Sequence, residues 1–177
     1  MKRTSVDTIR VFRSPLNHSR GVIVAGSLRI PCAIGRSGTT HLKREGDGAS
    51  RIGRFGMLQV YYRHDRGKRP RTLLPIRRIS PDDGWCDAPA DRCYNSRVTL
   101  PYNASCEEMW RDDNLYNVVV DLDINRGPIT KGRGSALFLH IARPDYTPTQ
   151  GCIAVAQKDM ARLLALAGPN TKIQICG

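Results

Sequence analysis

From Gly134 to Val155 the chain reads GSALFLHIARPDYTPTQGCIAV, and its apolar residues fall into two short runs. Ser135–Ile141 and Ile153–Ala156 each have the length and the turn-rich borders of a buried strand. The loop between them holds Pro144 and Pro148. A chain patterned this way is committed to strands that end in loops, and here both strand ends carry reactive side chains. His140 closes the first run and Cys152 precedes the second. A thiol becomes a strong nucleophile as the thiolate, and a neighbouring imidazole can take its proton. Gly151 admits backbone conformations that a side chain forbids and lets a substrate carbonyl approach the peptide N–H groups around Cys152, which would stabilise an oxyanion. An activated thiol of this kind is expected to have a lowered pKa and to alkylate fast. The bland alternative, a small buried cysteine beside a core histidine, predicts an inert thiol.

The remaining pattern is also that of strands. Val6–Phe12 and Gly21–Ile34 alternate apolar and polar residues, and Gly26-Ser27 divides the second run as a type II′ hairpin turn would. Met57–Tyr62 and Leu73–Ile79 read as further strands, the latter at an edge or bulge because of Pro75. Tyr116–Asp123 contains three consecutive valines, which implies burial on both faces and a central position. Met160, Leu163, Leu164 and Ala167 form one apolar helical face, with Asp159 in the first turn and Gly168-Pro169 as the stop. Lys172–Cys176 is the last strand. Gly35–Gly56 is glycine-rich but lacks the Gly-Lys-Ser/Thr ending of a phosphate loop, and reads as a loop folded back over the sheet. Pro81–Asn114 is irregular, and its Trp85, Trp110, Tyr94 and Tyr102 argue against disorder. The sum is a mainly β domain of about eight short strands, one late helix and a long irregular insertion at about 81–114. At 177 residues a single domain over 1–177 is expected.

Charge is unevenly placed. The net charge is +12, yet residues 1–80 hold 18 Lys/Arg against 4 Asp/Glu while residues 81–177 hold 10 against 12. A basic half suits an anionic partner. With 6% aromatic residues and no basic–aromatic interleaving, single-stranded nucleic acid is disfavoured. No apolar stretch is long enough to span a membrane, and the basic start Met1–Asp7 is not followed by the apolar segment of a secretory signal. Of six cysteines, five remain if Cys152 stays free, so at least one more is unpaired. Cys86 and Cys93 are candidates for a short-loop disulfide in an oxidising compartment. The absence of a C-x-x-C pair argues against a zinc ribbon. His18, His41 and His64 lie in polar surroundings and read as surface residues, with no metal site implied. Arg126 and Arg133, flanking a turn before the His140 run, are candidates to bind a substrate carboxylate.

The block around His140 and Cys152 resembles the catalytic core of the L,D-transpeptidase (YkuD-like) family, in which a strand-end histidine and a loop precede Ser/Thr-His-Gly-Cys and an apolar residue. His140 matches the general base; Thr149, Gly151, Cys152 and Ile153 match the rest. Gln150 stands where a second histidine is usual and Ala154 where arginine is common, and the loop is shorter. Gly46–Phe55 (GDGASRIGRF) is similar to the family's G-D-G-x-T-P-x-G-x-F segment, with Ser50 and Arg51 in place of Thr-Pro. The resemblance implies a β-sandwich-like fold whose catalytic strands converge at one end. It also implies a peptidoglycan L,D-transpeptidase that needs no metal or organic cofactor. Cys152 would attack a stem-peptide carbonyl, His140 would move the protons, and a second stem's amine would accept the acyl group in a 3→3 crosslink. Gly151, Thr149, Gln150, Arg126, Arg133 and Trp85 would contact the oxyanion or substrate, with the Trp85 segment as a substrate wall. Carbapenem-type β-lactams would acylate Cys152. The basic half would meet an anionic cell-wall polymer, and the place of action would be the bacterial envelope (periplasm). Two alternatives remain: an L,D-carboxypeptidase with the same site, and a non-catalytic domain that binds wall peptide.

Overall fold

The computed structural model describes residues 5–177. Its elements in chain order are β1 (Thr8–Arg13), β2 (Arg20–Ala25), β3 (Leu28–Ala33), β4 (Thr39–Thr40), β5 (Ser50–Arg51), β6 (Gly53–Tyr62), β7 (Ile76–Arg78), β8 (Asp83–Cys86), β9 (Ser96–Thr99), β10 (Cys106–Glu108), β11 (Val118–Leu122), β12 (Phe138–Ile141), β13 (Ile153–Val155), α1 (Gln157–Leu166) and β14 (Lys172–Ile175). The protein is therefore mainly β with one helix among the described residues. The described residues form fourteen strands where the sequence suggests about eight; the extra ones are short and carry no apolar alternation.

The main sheet runs β11-β12-β13-β3-β2-β1-β14-β6-β7, and an additional β11–β6 pairing closes it. Eight strands thus form a ring, with β7 attached as an edge strand. Alternation decides what faces inward. Ile9 and Val11 of β1, Ile23 of β2, Ile30 of β3, Val60 of β6 and Ile173 of β14 all point into one core and are at most 2% exposed. The helix adds Met160, Leu163 and Leu164 to the same core. The two halves of the closed sheet face one another across these side chains, in a sandwich-like arrangement.

Local chemistry accounts for the turns that matter. Gly26 takes φ +59° in the β2–β3 hairpin, as a II′ turn requires at its first central position. The Gly35–Gly56 loop folds back through the small parallel pair β4–β5 and a backbone bond from Ser37 N to Gly48 O, 3.0 Å. β11 lies between β12 and β6, the central position that its valine run predicts.

The insertion is more regular than its sequence suggests. Residues 81–114 contain a three-stranded antiparallel sheet in the order β10-β8-β9. A second core anchors it to the outside of the ring: Trp85 and Met109 pack with Tyr61, Tyr116, Val119 and Phe138. Trp85 meets the Phe138 ring edge-on, centroids 4.9 Å apart, and the Arg63 guanidinium lies 3.6 Å from the Trp110 ring centroid. These tertiary contacts make strands of a stretch in which Asp, Pro and Asn dilute the apolar pattern.

Candidate active site

β12 and β13 run parallel, with Leu139 opposite Ile153, His140 opposite Ala154 and Ile141 opposite Val155. Leu139, Ile141, Ile153 and Val155 enter the main core. The alternate set, His140, Ala154 and Cys152, opens into a cavity of about 580 Å³ on the other face. The two-residue period of a strand thus brings the histidine and the cysteine to one cavity from neighbouring strands.

Hydrogen bonds hold both side chains. The Phe138 N–H donates to Cys152 Sγ at 3.3 Å, and the thiol donates to Ala136 O at 3.2 Å. His140 Nδ1 lies 2.9 Å from Ile141 O. A carbonyl oxygen only accepts, so Nδ1 carries the ring proton and Nε2 keeps the lone pair. The Tyr116 ring stands 5.5 Å from the imidazole, tilted by 68°. Behind Cys152, Thr149 Oγ1 donates to Cys152 O at 2.6 Å and accepts from Gly151 N at 3.1 Å. Gly151 takes φ +131°. The Gly151 N–H is therefore engaged by Thr149 rather than presented to a ligand, which corrects the expectation that it serves the oxyanion directly. Ser50, fully buried, accepts from Gly35 N and donates to Gly151 O, both at 2.9 Å.

Burial keeps Cys152 and His140 neutral. Burial pushes the Cys152 thiol up to about 12, and the Glu107 carboxylate adds to the rise. The depressed thiol pKa expected of an activated cysteine is not what this environment gives. Burial pulls His140 down to about 4, with Arg111 and Arg143 acting in the same direction. Burial also raises Glu107, opposed by its bond from Tyr116 and by Arg111.

The residues expected at the site separate into two groups. Thr149, Gln150, His140 and Cys152 line the same cavity. Arg126 and Arg133 line a different one, of about 540 Å³. Arg126 is committed to the fold: it pairs with Asp121 at 2.5 Å, donates to Asn95 O at 2.6 Å and lies over the Trp85 ring, 4.7 Å from its centroid. Trp85 is buried, packs edge-on against Phe138 and does not line the cavity. The insertion does form a wall, but with other side chains: Asp87, Glu107 and Arg111. Glu45, Tyr116 and Arg143 complete the polar lining. Nothing in their spacing marks them; only the fold of β8 and β10 onto the ring brings them together.

The cysteines and histidines resolve simply. All six cysteines are thiols, so a Cys86–Cys93 bridge is not formed; Cys86 faces Cys106 across β8 and β10 instead. His18, His41 and His64 are exposed. Among the described residues no group of His, Cys, Asp or Glu is arranged to hold a metal ion, and no helix is long and apolar enough to cross a membrane.

Comparison with known proteins gives a family. Residues 19–175 match the family model YkuD, described as the L,D-transpeptidase catalytic domain. No curated protein matches the chain. Among solved structures, the crystal structure of Mycobacterium tuberculosis L,D-transpeptidase 1 is similar, with 13% identity and a TM-score of 0.39. The match covers 96% of this chain and 62% of that one.

Proposed function

This chain belongs to the YkuD family of L,D-transpeptidase catalytic domains, and on that premise we propose that it is a cysteine acyltransferase acting on peptidoglycan stem peptides as a single domain over residues 1–177. The observation that carries the reading is the placement of His140 on β12 and of Cys152 at the entry to the adjacent parallel β13, both open to one cavity.

The chemistry follows from the resting geometry. As the thiol attacks the carbonyl of a diaminopimelate residue, its proton passes to the Nε2 lone pair of His140. The Cys152 N–H is the proposed oxyanion donor. Collapse of the tetrahedral intermediate expels the terminal D-amino acid, whose amine takes the proton from Nε2. A second stem's amine then attacks the thioester, loses a proton to Nε2 and releases the thiol, giving a 3→3 crosslink. Water in place of the amine gives L,D-carboxypeptidase action. Carboxylates of Glu45, Asp87 and Glu107 and guanidinium groups of Arg111 and Arg143 share the cavity. That mixture suits a peptide carrying both a free ammonium and a free carboxylate. The basic residues of the N-terminal half would meet an anionic wall polymer, and the place of action would be the cell envelope.

The raised Cys152 pKa favours a second reading, a domain that binds wall peptide without chemistry. Incubation with a carbapenem followed by whole-protein mass spectrometry separates the two. One drug-sized adduct on the wild type, absent from Cys152→Ala and slow on His140→Ala, is the expected result. No adduct, with Cys152 also inert to iodoacetamide, would transfer the assignment to the binding domain. Stem-peptide products, crosslinked or merely trimmed, then distinguish amine from water as the acceptor.

A further inference from the structure

β8 and β10 set two cysteines against each other in the wall of the site. Cys86 and Cys106 are direct partners in antiparallel register. The ladder bonds on either side run from Asp87 N to Ser105 O, 3.2 Å, and from Met109 N to Asp83 O, 3.0 Å. Counting inward from both makes Cys86–Cys106 a non-hydrogen-bonded pair, the kind whose Cα atoms approach to about 4.5 Å. A disulfide spans that separation.

The Cys106 thiol donates a weak bond to Ala104 O at 3.4 Å, which it gives up in turning toward Cys86. Cys93, the sequence-adjacent candidate, is held elsewhere: Asp91 Oδ1 takes its backbone N–H at 2.7 Å, and it lies between β8 and β9, outside the β8–β10 pairing. Cys86 is fully buried whereas Cys106 is partly exposed, so a reagent from solvent meets Cys106 first.

We propose that Cys86 and Cys106 form a modification site, a dithiol that closes to a disulfide when a disulfide-bearing thiol oxidant is present. The Cys106 thiolate attacks one sulfur of the oxidant, forming a mixed disulfide and releasing one thiol. The Cys86 thiolate then attacks the Cys106 sulfur and expels the second. Two protein thiols and one oxidant disulfide become one protein disulfide and two small thiols, with two electrons passing to the oxidant. Asp87 follows Cys86 and Glu107 follows Cys106, and both line the Cys152 cavity. The bond therefore fastens together the two strands that carry these carboxylates. This inference does not depend on acyl transfer by Cys152.

The test uses the full chain and oxidised glutathione at mildly alkaline pH. Intact mass falls by two hydrogens, two fewer thiols titrate, and a non-reducing proteolytic map contains one peptide pair linking Cys86 to Cys106. Cys93→Ser retains the link and Cys106→Ser loses it. The thermal midpoint of the oxidised wild type rises by on the order of 10 °C. Burial and the neighbouring Cys86, Asp87 and Asp91 hold Cys106 up to about 11, so closure accelerates as pH rises toward that value. A map linking Cys86 to Cys93 would overturn the proposal. So would a stable glutathione adduct on Cys106, or an unchanged thiol count.

Discussion

Asn95 Oδ1 lies 3.2 Å from Ala136 N and accepts its hydrogen bond, tying the insertion to the residue whose carbonyl accepts the Cys152 thiol's hydrogen bond. The same oxygen accepts from Trp85 Nε1 at 3.1 Å, while Nδ2 donates to Ile124 O at 3.2 Å and Asn125 O at 2.9 Å. Ala136 needs such a clamp because it takes φ +49°, a conformation that costs a residue with a Cβ about 1 kcal/mol or more. Asn95→Ala leaves two N–H donors and two carbonyls without this partner in a site that is 2% exposed. The expected loss is on the order of 3 kcal/mol, read from the urea midpoint. Adduct formation at Cys152 slows in parallel, because the carbonyl that orients the thiol is no longer fixed. Asn95→Asp costs more, since it turns carboxylate oxygen toward the Ile124 and Asn125 carbonyls.

The neutral His140–Cys152 pair gives a pH signature with two limbs. His140 is held at about 4 against about 6.5 in an unfolded chain. The unfolded state therefore binds more protons between these values, and stability falls as pH drops through that window. Cys152 and Cys32 are both pushed up to about 12 by burial, against about 8.5 unfolded, so stability falls again as pH rises above about 9. Each group contributes a few kcal/mol at most, about 1.4 kcal/mol per pKa unit. Denaturant melts across pH, with His140→Gln and Cys32→Ser for comparison, check this: the acid limb flattens in the first variant and the alkaline limb shallows in the second. Iodoacetamide alkylation of Cys152 in the free protein keeps rising to high pH, and a plateau near neutral pH would contradict this site.

Gly151→Ala removes the sharp entry to Cys152. At φ +131° an alanine is strained, and its Cβ would stand 2.9 Å from Ala49 O and 3.0 Å from Leu137 Cδ2. Backbone cannot withdraw as a side-chain tip can, so the loop shifts and Cys152 moves with it. A destabilisation of about 1–3 kcal/mol accompanies a fall in carbapenem acylation of at least about 100-fold, the scale on which misplacement by an ångström acts. A variant that acylates at the wild-type rate would show that the left-handed turn is incidental to the chemistry.

How far the sequence carries depends on whether a residue's neighbours are near in the chain. His140, Thr149 and Cys152 are legible because one loop joins their strands and alternation alone puts the histidine and cysteine on one face. The hairpin at Gly26, the central β11 and the helix face are legible for the same reason: each is local pattern. Glu107, Arg111 and Asp87 are not, since they reach the cavity only through the packing of Trp85 and Met109 against Phe138 and Val119. Arg126 shows the converse. Its place in a turn near the catalytic strand suggests a ligand for carboxylate, yet Asp121, Asn95 and the Trp85 face already occupy it. Proximity in sequence points to Cys93 as the neighbour of Cys86, whereas antiparallel register sets Cys106 opposite it.

Ser50 offers a sharp test of how the glycine-rich loop supports Cys152. Its hydroxyl accepts from Gly35 N and donates to Gly151 O, at 2.9 Å each, across a site with no solvent exposure. Gly35 itself leaves no room, since a Cβ there would meet Gly48 O at 2.4 Å, and this side chain joins the three segments alongside backbone bonds such as Arg36 N to Thr149 O at 2.8 Å. Ser50→Ala keeps the volume nearly unchanged but orphans one donor and weakens one acceptor, at a cost of about 1–3 kcal/mol. Ser50→Thr keeps the hydroxyl and recovers part of that loss where its extra methyl is accommodated. Because Gly151 precedes Cys152, the alanine variant also slows acylation while leaving binding of a stem peptide nearly intact. Urea midpoints and single-turnover acylation rates for the two variants read these effects separately. Equal acylation in Ser50→Ala and wild type would mean that Thr149, through Gly151 N and Cys152 O, is sufficient to hold Cys152 in place.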